Sequence, residues 1–312
     1  MEKKILNSYE KKLEKTLRKN SVNSYIRDIE SVYEYYEEKI SEEKISEEKM
    51  LKTFNYFFIE EYFEEKKFSP SSYNRKIISL GKFFDWLVDI GIVEKNFIKG
   101  FSQIPDEQVQ ESIKEKTIFS IEELKKILDK ASMIDRALFS IMFVGGARCN
   151  EVLSIKLDDI SEVKNGIKIS IDKSIVKNHM PKKFYIPKNT FVYDYFKKYY
   201  EARLQKNTND EYLFIGRDGK NYVADGENKS NRVSQVNKRL KTAVKKAGLK
   251  DISTHCFRHS FATIADSKAI PRANIFELLT WKDNSVFKTT YSNHDSEEKD
   301  NLNFEIVRKI LE

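Results

Sequence analysis

The chain is poor in the features that mark several protein classes. Two cysteines, Cys149 and Cys256, cannot staple a 312-residue disulfide scaffold and suit a reducing compartment. No apolar run approaches the roughly 20 residues of a membrane span. The N-terminus, Met1-Glu2-Lys3-Lys4, opens a charged helix without the apolar stretch of a signal peptide. No glycine-rich phosphate loop is present, which argues against a nucleotide-driven motor. His255 and His259 share one helix face, but the Glu of a His-Glu-x-x-His zinc motif and a second cysteine pair are both missing. We therefore expect a soluble, cytoplasmic protein that uses neither metal nor cofactor.

What is present is charge and periodic apolar residues. The composition is 40% apolar, 34% charged and 12% aromatic, with only five prolines, as in a mainly helical globular protein. At about 150 residues per domain the length predicts two domains. Net charge is +7, unevenly spread. Residues 1–110 hold 19 basic and 21 acidic side chains, whereas residues 111–312 hold 37 and 28. The C-terminal two-thirds is thus the better polyanion binder, and nucleic acid is one natural partner.

Helical spacing runs through the first hundred residues: Leu6, Tyr9, Leu13 and Leu17, then Tyr25, Ile29, Val32, Tyr33 and Tyr36. The duplicated Ser41-Glu42-Glu43-Lys44-Ile45 and Ser46-Glu47-Glu48-Lys49-Met50 read as a solvated connector into one helix through Leu51, Phe54, Phe58 and Tyr62. Ser69-Pro70 starts another helix, through Tyr73, Ile77, Leu80, Phe84 and Leu87. These stripes predict a four-helix bundle over residues 1–103, with a polar linker at 104–117. Beyond it, Ser120 and Glu123 form a capping box, and an apolar helix from Ala137 to Val144 stops at Gly145-Gly146. Alternation at 167–171, 175–177 and 184–186 predicts a three-stranded antiparallel sheet. Helices are expected again over 191–204, 233–246, 257–265, 275–279 and 302–311. The expected fold is mainly α with a small antiparallel sheet, an α+β second domain over 118–312.

Arg148, His255, Arg258 and Tyr291 carry the chemical signal. Arg148 follows the Gly145-Gly146-Ala147 turn, and Arg258 lies one helical turn after His255. Two guanidiniums converging on one phosphate would grip its non-bridging oxygens and stabilise the added charge of a pentacoordinate transition state. Phosphodiester attack then needs no metal.

Gly145-Gly146-Ala147-Arg148-Cys149-Asn150-Glu151-Val152-Leu153 resembles the first-arginine box of the tyrosine recombinase (phage-type integrase) family. His255-Cys256-Phe257-Arg258-His259-Ser260-Phe261 resembles its His-x-x-Arg box, and Leu278-Leu279-Thr280-Trp281 followed by Thr289-Thr290-Tyr291 resembles the stretch ending in its nucleophile. The resemblance implies a simple two-domain member in which an N-terminal core-binding domain and a C-terminal catalytic domain clamp DNA in a C shape. It further implies Tyr291 as nucleophile, His255 as proton acceptor, Arg148 and Arg258 on the phosphate, and Glu151 bracing the first-arginine box. Trp281 stands where many relatives have His, and its indole N–H can still donate to a phosphate oxygen. Lys177 matches the general acid for the 5′-oxygen; Lys182 and Lys183 are rivals, because the hairpin is about two residues longer than in common relatives. His259 is an auxiliary candidate, Cys149 and Cys256 read as small buried thiols, and His179 and His294 as solvated side chains.

The implied partners are double-stranded DNA with a specific recombination site and three further copies of the chain, forming a tetramer on two duplexes near the nucleoid. Strands would be exchanged through a 3′-phosphotyrosyl intermediate and a Holliday junction. Leu302, Ile306 and Ile310 form an apolar stripe that a short helix must bury, expected in a neighbouring protomer or, alternatively, back on its own domain. Chromosome-dimer resolution of the Xer type and mobile-element integration or excision both fit. The rivals are a non-catalytic DNA-binding protein on the same scaffold and a type IB topoisomerase-like strand transferase.

Overall fold

The structure is a computed structural model describing residues 3–39, 45–109, 118–174, 181–206, 208–216, 219–222, 229–280 and 296–312. It divides into two compact units, Met1–Glu115 and Lys116–Glu312. No helix among the described residues is long and apolar enough to cross a membrane.

The first unit is built from α1 (Lys4–Glu14), α2 (Lys19–Lys39), α3 (Glu47–Thr53), α4 (Tyr56–Lys66) and α5 (Pro70–Asp89). Its apolar stripes meet in an aromatic core in which Tyr33, Tyr35, Tyr62, Phe83 and Phe84 are fully buried. Among the described residues of the expected bundle, 1–103, the four helices become five α-helices because the 51–62 stretch breaks. Phe54 turns extended, and the Asn55 side chain accepts from the Phe58 N–H to start α4. A cap thus overrides continuous apolar spacing. The expected solvated connector holds for Ser46, Glu48 and Lys49 but not for Glu47, which is buried, its carboxylate accepting the N–H groups of Ile5 and Leu6 and the Tyr33 hydroxyl. One carboxylate thereby satisfies two otherwise unpaired donors at the start of α1 and ties that helix to the bundle.

The second unit starts with α6 (Ile121–Lys130), opened by the Ser120–Glu123 capping box, and α7 (Met133–Val144), which is buried on almost every side. After the short α8 (Cys149–Leu153) come β1 (Ile160–Val163), β2 (Gly166–Ile171) and β3 (Lys182–Pro187), antiparallel in that order. The strands expected over 167–171 and 184–186 are present as β2 and β3, and the third strand of the sheet is β1. β1 forms one edge of the sheet and joins β2 by a two-residue turn at Lys164-Asn165; residues 175–177 lie outside the described residues. β1 carries no apolar alternation in its sequence, because this edge strand is half open to solvent. The remaining helices are α9 (Phe191–Leu204), α10 (Lys229–Lys246), α11 (Thr254–Ser267), α12 (Arg272–Leu279) and α13 (Ser296–Leu311).

α7 and α11 lock together through Phe139 stacked on Phe257 at 5.5 Å and Phe143 edge-on to Phe261 at 5.7 Å. α13 lies on its own sheet. Phe304 sits edge-on to Tyr185 at 5.2 Å, and Val307, Ile310 and Leu311 are buried. Asp300 receives Lys168 at 2.7 Å, the Tyr185 hydroxyl at 2.8 Å and Lys183 at 3.3 Å. In the single chain this stripe therefore rests on its own domain, the second of the two placements expected for it. β3 presents a second apolar face that needs covering, and α13 supplies both the apolar cover and the matching carboxylate.

Candidate active site

The site grows from a glycine turn. At the end of α7, Gly145 lies so close to β3 that a Cβ there would come within 2.3 Å of the Phe184 ring. Gly146 has φ +46°, and a Cβ would meet the Leu279 side chain of α12 at 1.9 Å. Only glycine combines that backbone with that approach. The turn thus brings α7, β3 and α12 together and places Arg148 at the start of α8.

Arg148 and Glu151 brace each other. The Arg148 guanidinium donates to Glu151 at 2.8 Å, and the Arg148 N–H donates to the same carboxylate at 3.1 Å. Arg148 keeps 29% of its side chain exposed, whereas Glu151 keeps 3%. Burial alone would raise the Glu151 carboxyl, but Lys182 and Arg148 together hold it below the usual carboxylate range.

Arg258 enters from the first turns of α11. Its guanidinium is buried and donates to the Gly146 and Leu279 carbonyls, both at 2.7 Å. One side chain therefore ties the glycine turn to the end of α12, two residues before Trp281. Burial and the nearby Arg148 cation lower its pKa to about 10, Glu151 opposing. Two cations held close enough to disfavour each other are arranged for an anion. His255 and His259 are exposed on α11. Cys149 and Cys256 are buried, and burial pushes the Cys149 thiol up to about 12.

The three lysine candidates part company. Lys177 lies outside the described residues, as do Trp281, Tyr291, His179 and His294. Lys183 is 46% exposed and paired with Asp300, on the α13 side of the sheet. Lys182 is fully buried, 3.4 Å from both Glu151 and the Gly146 carbonyl. The sequence contained a signal for this. Lys182 shares strand parity with Phe184 and Ile186, and the three pair with Ile171, Ile169 and Ile167. It is the last rung of an inward-facing ladder. Among the described residues no cluster of three or more His, Cys, Asp or Glu could hold a metal ion.

Residues 115–298 match a profile described as the phage integrase family, and residues 6–91 match the N-terminal SAM-like domain of phage integrases. Tyrosine recombinase XerC of Leptospira interrogans is 26% identical over 278 residues, spanning 86% of this chain and 81% of that protein. XerC of Halalkalibacterium halodurans is 25% identical over 275 residues, spanning 81% and 80%. Among solved structures, a post-cleavage complex of XerH site-specific recombinase with a palindromic difH substrate superposes with TM-score 0.60 at 20% identity, covering 90% of this chain and 78% of that one. A lambda integrase tetramer bound to a Holliday junction gives 0.61 at 16% identity, covering 93% and 79%. At these identities the structural likeness speaks for the fold alone.

Proposed function

Because the chain belongs to the phage integrase family, we propose that it is a site-specific tyrosine recombinase acting on double-stranded DNA. The Tyr291 oxygen attacks the scissile phosphorus, and the bond from phosphorus to the 5′-oxygen breaks. The product is a 3′-phosphotyrosyl linkage and a 5′-hydroxyl. A phenol has a reference pKa of about 10, so its proton must be taken, and His255 is the acceptor. The leaving 5′-oxygen receives its proton from Lys177. A 5′-hydroxyl from the partner duplex then attacks the phosphotyrosine, frees Tyr291 and rejoins the strand, so the bond energy is retained without ATP or metal. The observation that carries this reading is the paired placement of Arg148 and Arg258, one braced by Glu151 and the other bridging Gly146 and Leu279. These guanidiniums would hold the phosphate and the charge that builds on it.

The first unit would grip the duplex beside the cleavage site, and four protomers would gather two duplexes and exchange strands through a Holliday junction. Joining protomers through residues 302–311 requires α13 to leave β3 first. The test is to incubate the protein with genomic or element-end DNA, trap the covalent adduct, and sequence both its DNA and its peptide. The adduct should map to Tyr291 and to a defined DNA site, and Tyr291→Phe should keep DNA binding while losing the adduct. An adduct of undiminished yield in Tyr291→Phe overturns the assignment. Relaxation of any supercoiled plasmid without site preference would favour a topoisomerase-like enzyme instead.

A further inference from the structure

We propose that Lys182 is a buried positioning residue of the active site, whose ammonium holds the Glu151 carboxylate and the Gly146 carbonyl so that both arginines stay turned toward the DNA phosphate. This rests on the function proposed above.

The argument begins with how unusual the position is. A fully buried lysine is costly unless its charge is met, and here it occupies the inward ladder position that isoleucine and phenylalanine fill on the neighbouring rungs. Its charge is met by groups that also hold the arginines. Glu151 binds Arg148 at 2.8 Å and Lys182 at 3.4 Å; the Gly146 carbonyl binds Arg258 at 2.7 Å and Lys182 at 3.4 Å. Lys182 is therefore the member common to both arginine anchors. Its sealed position separates it from the role of general acid, which must reach the leaving oxygen.

The consequence is electrostatic. With Lys182 charged, Glu151 is shared between two cations, and Arg148 keeps its partly exposed guanidinium available for phosphate. With Lys182 neutral, Glu151 has only Arg148 among these partners and draws it inward. The charged groups bearing on Lys182 are Glu151, which favours its charge, and Arg258 and Arg148, which oppose it; the Phe184 ring face lies 5.2 Å from the ammonium. Burial is the largest influence, and the pKa falls to about 8. Cleavage should therefore fall as pH rises through about 8, while DNA affinity, to which Lys182 makes no contact, stays level.

The experiment uses the full chain and a nicked suicide duplex built on the site mapped from the trapped adduct. Lys182→Met keeps length and removes charge. We expect single-turnover cleavage at pH 7 to fall about 10- to 100-fold, as for a lost charge-assisted hydrogen bond. The alkaline decline should disappear, with unchanged duplex affinity. Lys182→Arg, charged at every accessible pH, should restore cleavage in part and carry it past the wild-type decline. A substrate with sulfur at the 5′-bridging position should rescue Lys177→Ala and leave Lys182→Met slow. Wild-type cleavage by Lys182→Met across the pH range overturns the proposal, and so does rescue by the sulfur substrate, which would make Lys182 the acid itself. An arm independent of DNA titrates the Lys182 side-chain nitrogen by NMR in the free protein. A midpoint near 8 that falls further in Glu151→Gln supports the proposal, and the ordinary lysine midpoint of about 10.4 overturns it. Should the wild type form no adduct, the recombinase reading fails while this arm still decides the pairing.

Discussion

Replacing Gly146 with alanine tests how the site is assembled. A Cβ at this position sits at φ +46° and 1.9 Å from Leu279, with Arg258 Cγ at 3.6 Å. The backbone conformation costs a non-glycine residue about 1–2 kcal/mol. Forcing Leu279 aside in a filled core costs about 1–3 kcal/mol more, for a total of roughly 2–5 kcal/mol. In a unit of this size each kcal/mol moves the melting temperature by about 2–4 °C, so a drop of roughly 4–20 °C is expected. Calorimetry should show it in the transition of residues 116–312, with the transition of the first unit unmoved. The two contributions can be separated. In Gly146→Ala/Leu279→Ala the clash is gone but the backbone conformation remains, so the two losses should be less than additive by the clash cost of about 1–3 kcal/mol. Adduct formation should fall as well, because the displaced Gly146 carbonyl is an anchor of Arg258. A Gly146→Ala protein that melts within about 1 °C of wild type and cleaves normally would refute this account of the turn.

Three further outcomes follow from named contacts. Arg258→Ala and Arg148→Ala should each lower the rate of adduct formation at least about 100-fold, measured on the suicide duplex; a loss below about threefold in either would remove that arginine from the phosphate. Phe304→Ala should destabilise the second unit by about 3–5 kcal/mol in urea unfolding, because the ring is buried against Tyr185 within its own domain. For the same reason, truncation after Asn301 should lower stability even without DNA, and an unchanged unfolding midpoint would show that α13 does not rest on β3 in solution.

Local signals already present in the sequence specified much of this protein. Helical periodicity marked most helices and their inward faces, because an amphipathic helix writes its buried side at 3.6-residue spacing. Gly145-Gly146, Arg148 and the His255–Arg258 turn stood out because their chemistry sits in short contiguous runs. Other features depended on what covers each face, which no local pattern records. The apolar stripe of α13 showed that the helix must bury something; only the fold shows Tyr185 and Phe304 meeting and Asp300 gathering Lys168, Lys183 and Tyr185. Glu47 looked like one more solvated carboxylate in a charged repeat, and it is buried because two backbone N–H groups 41 and 42 residues away need an acceptor. Lys182 is the sharpest case. Strand parity pointed it inward, yet the charges that make an inward lysine tolerable come from Glu151, 31 residues earlier, and from a carbonyl in the glycine turn. Charge compensation across such distances is a property of the assembled core, so it becomes visible only when β3 is laid against the Gly145-Gly146 turn.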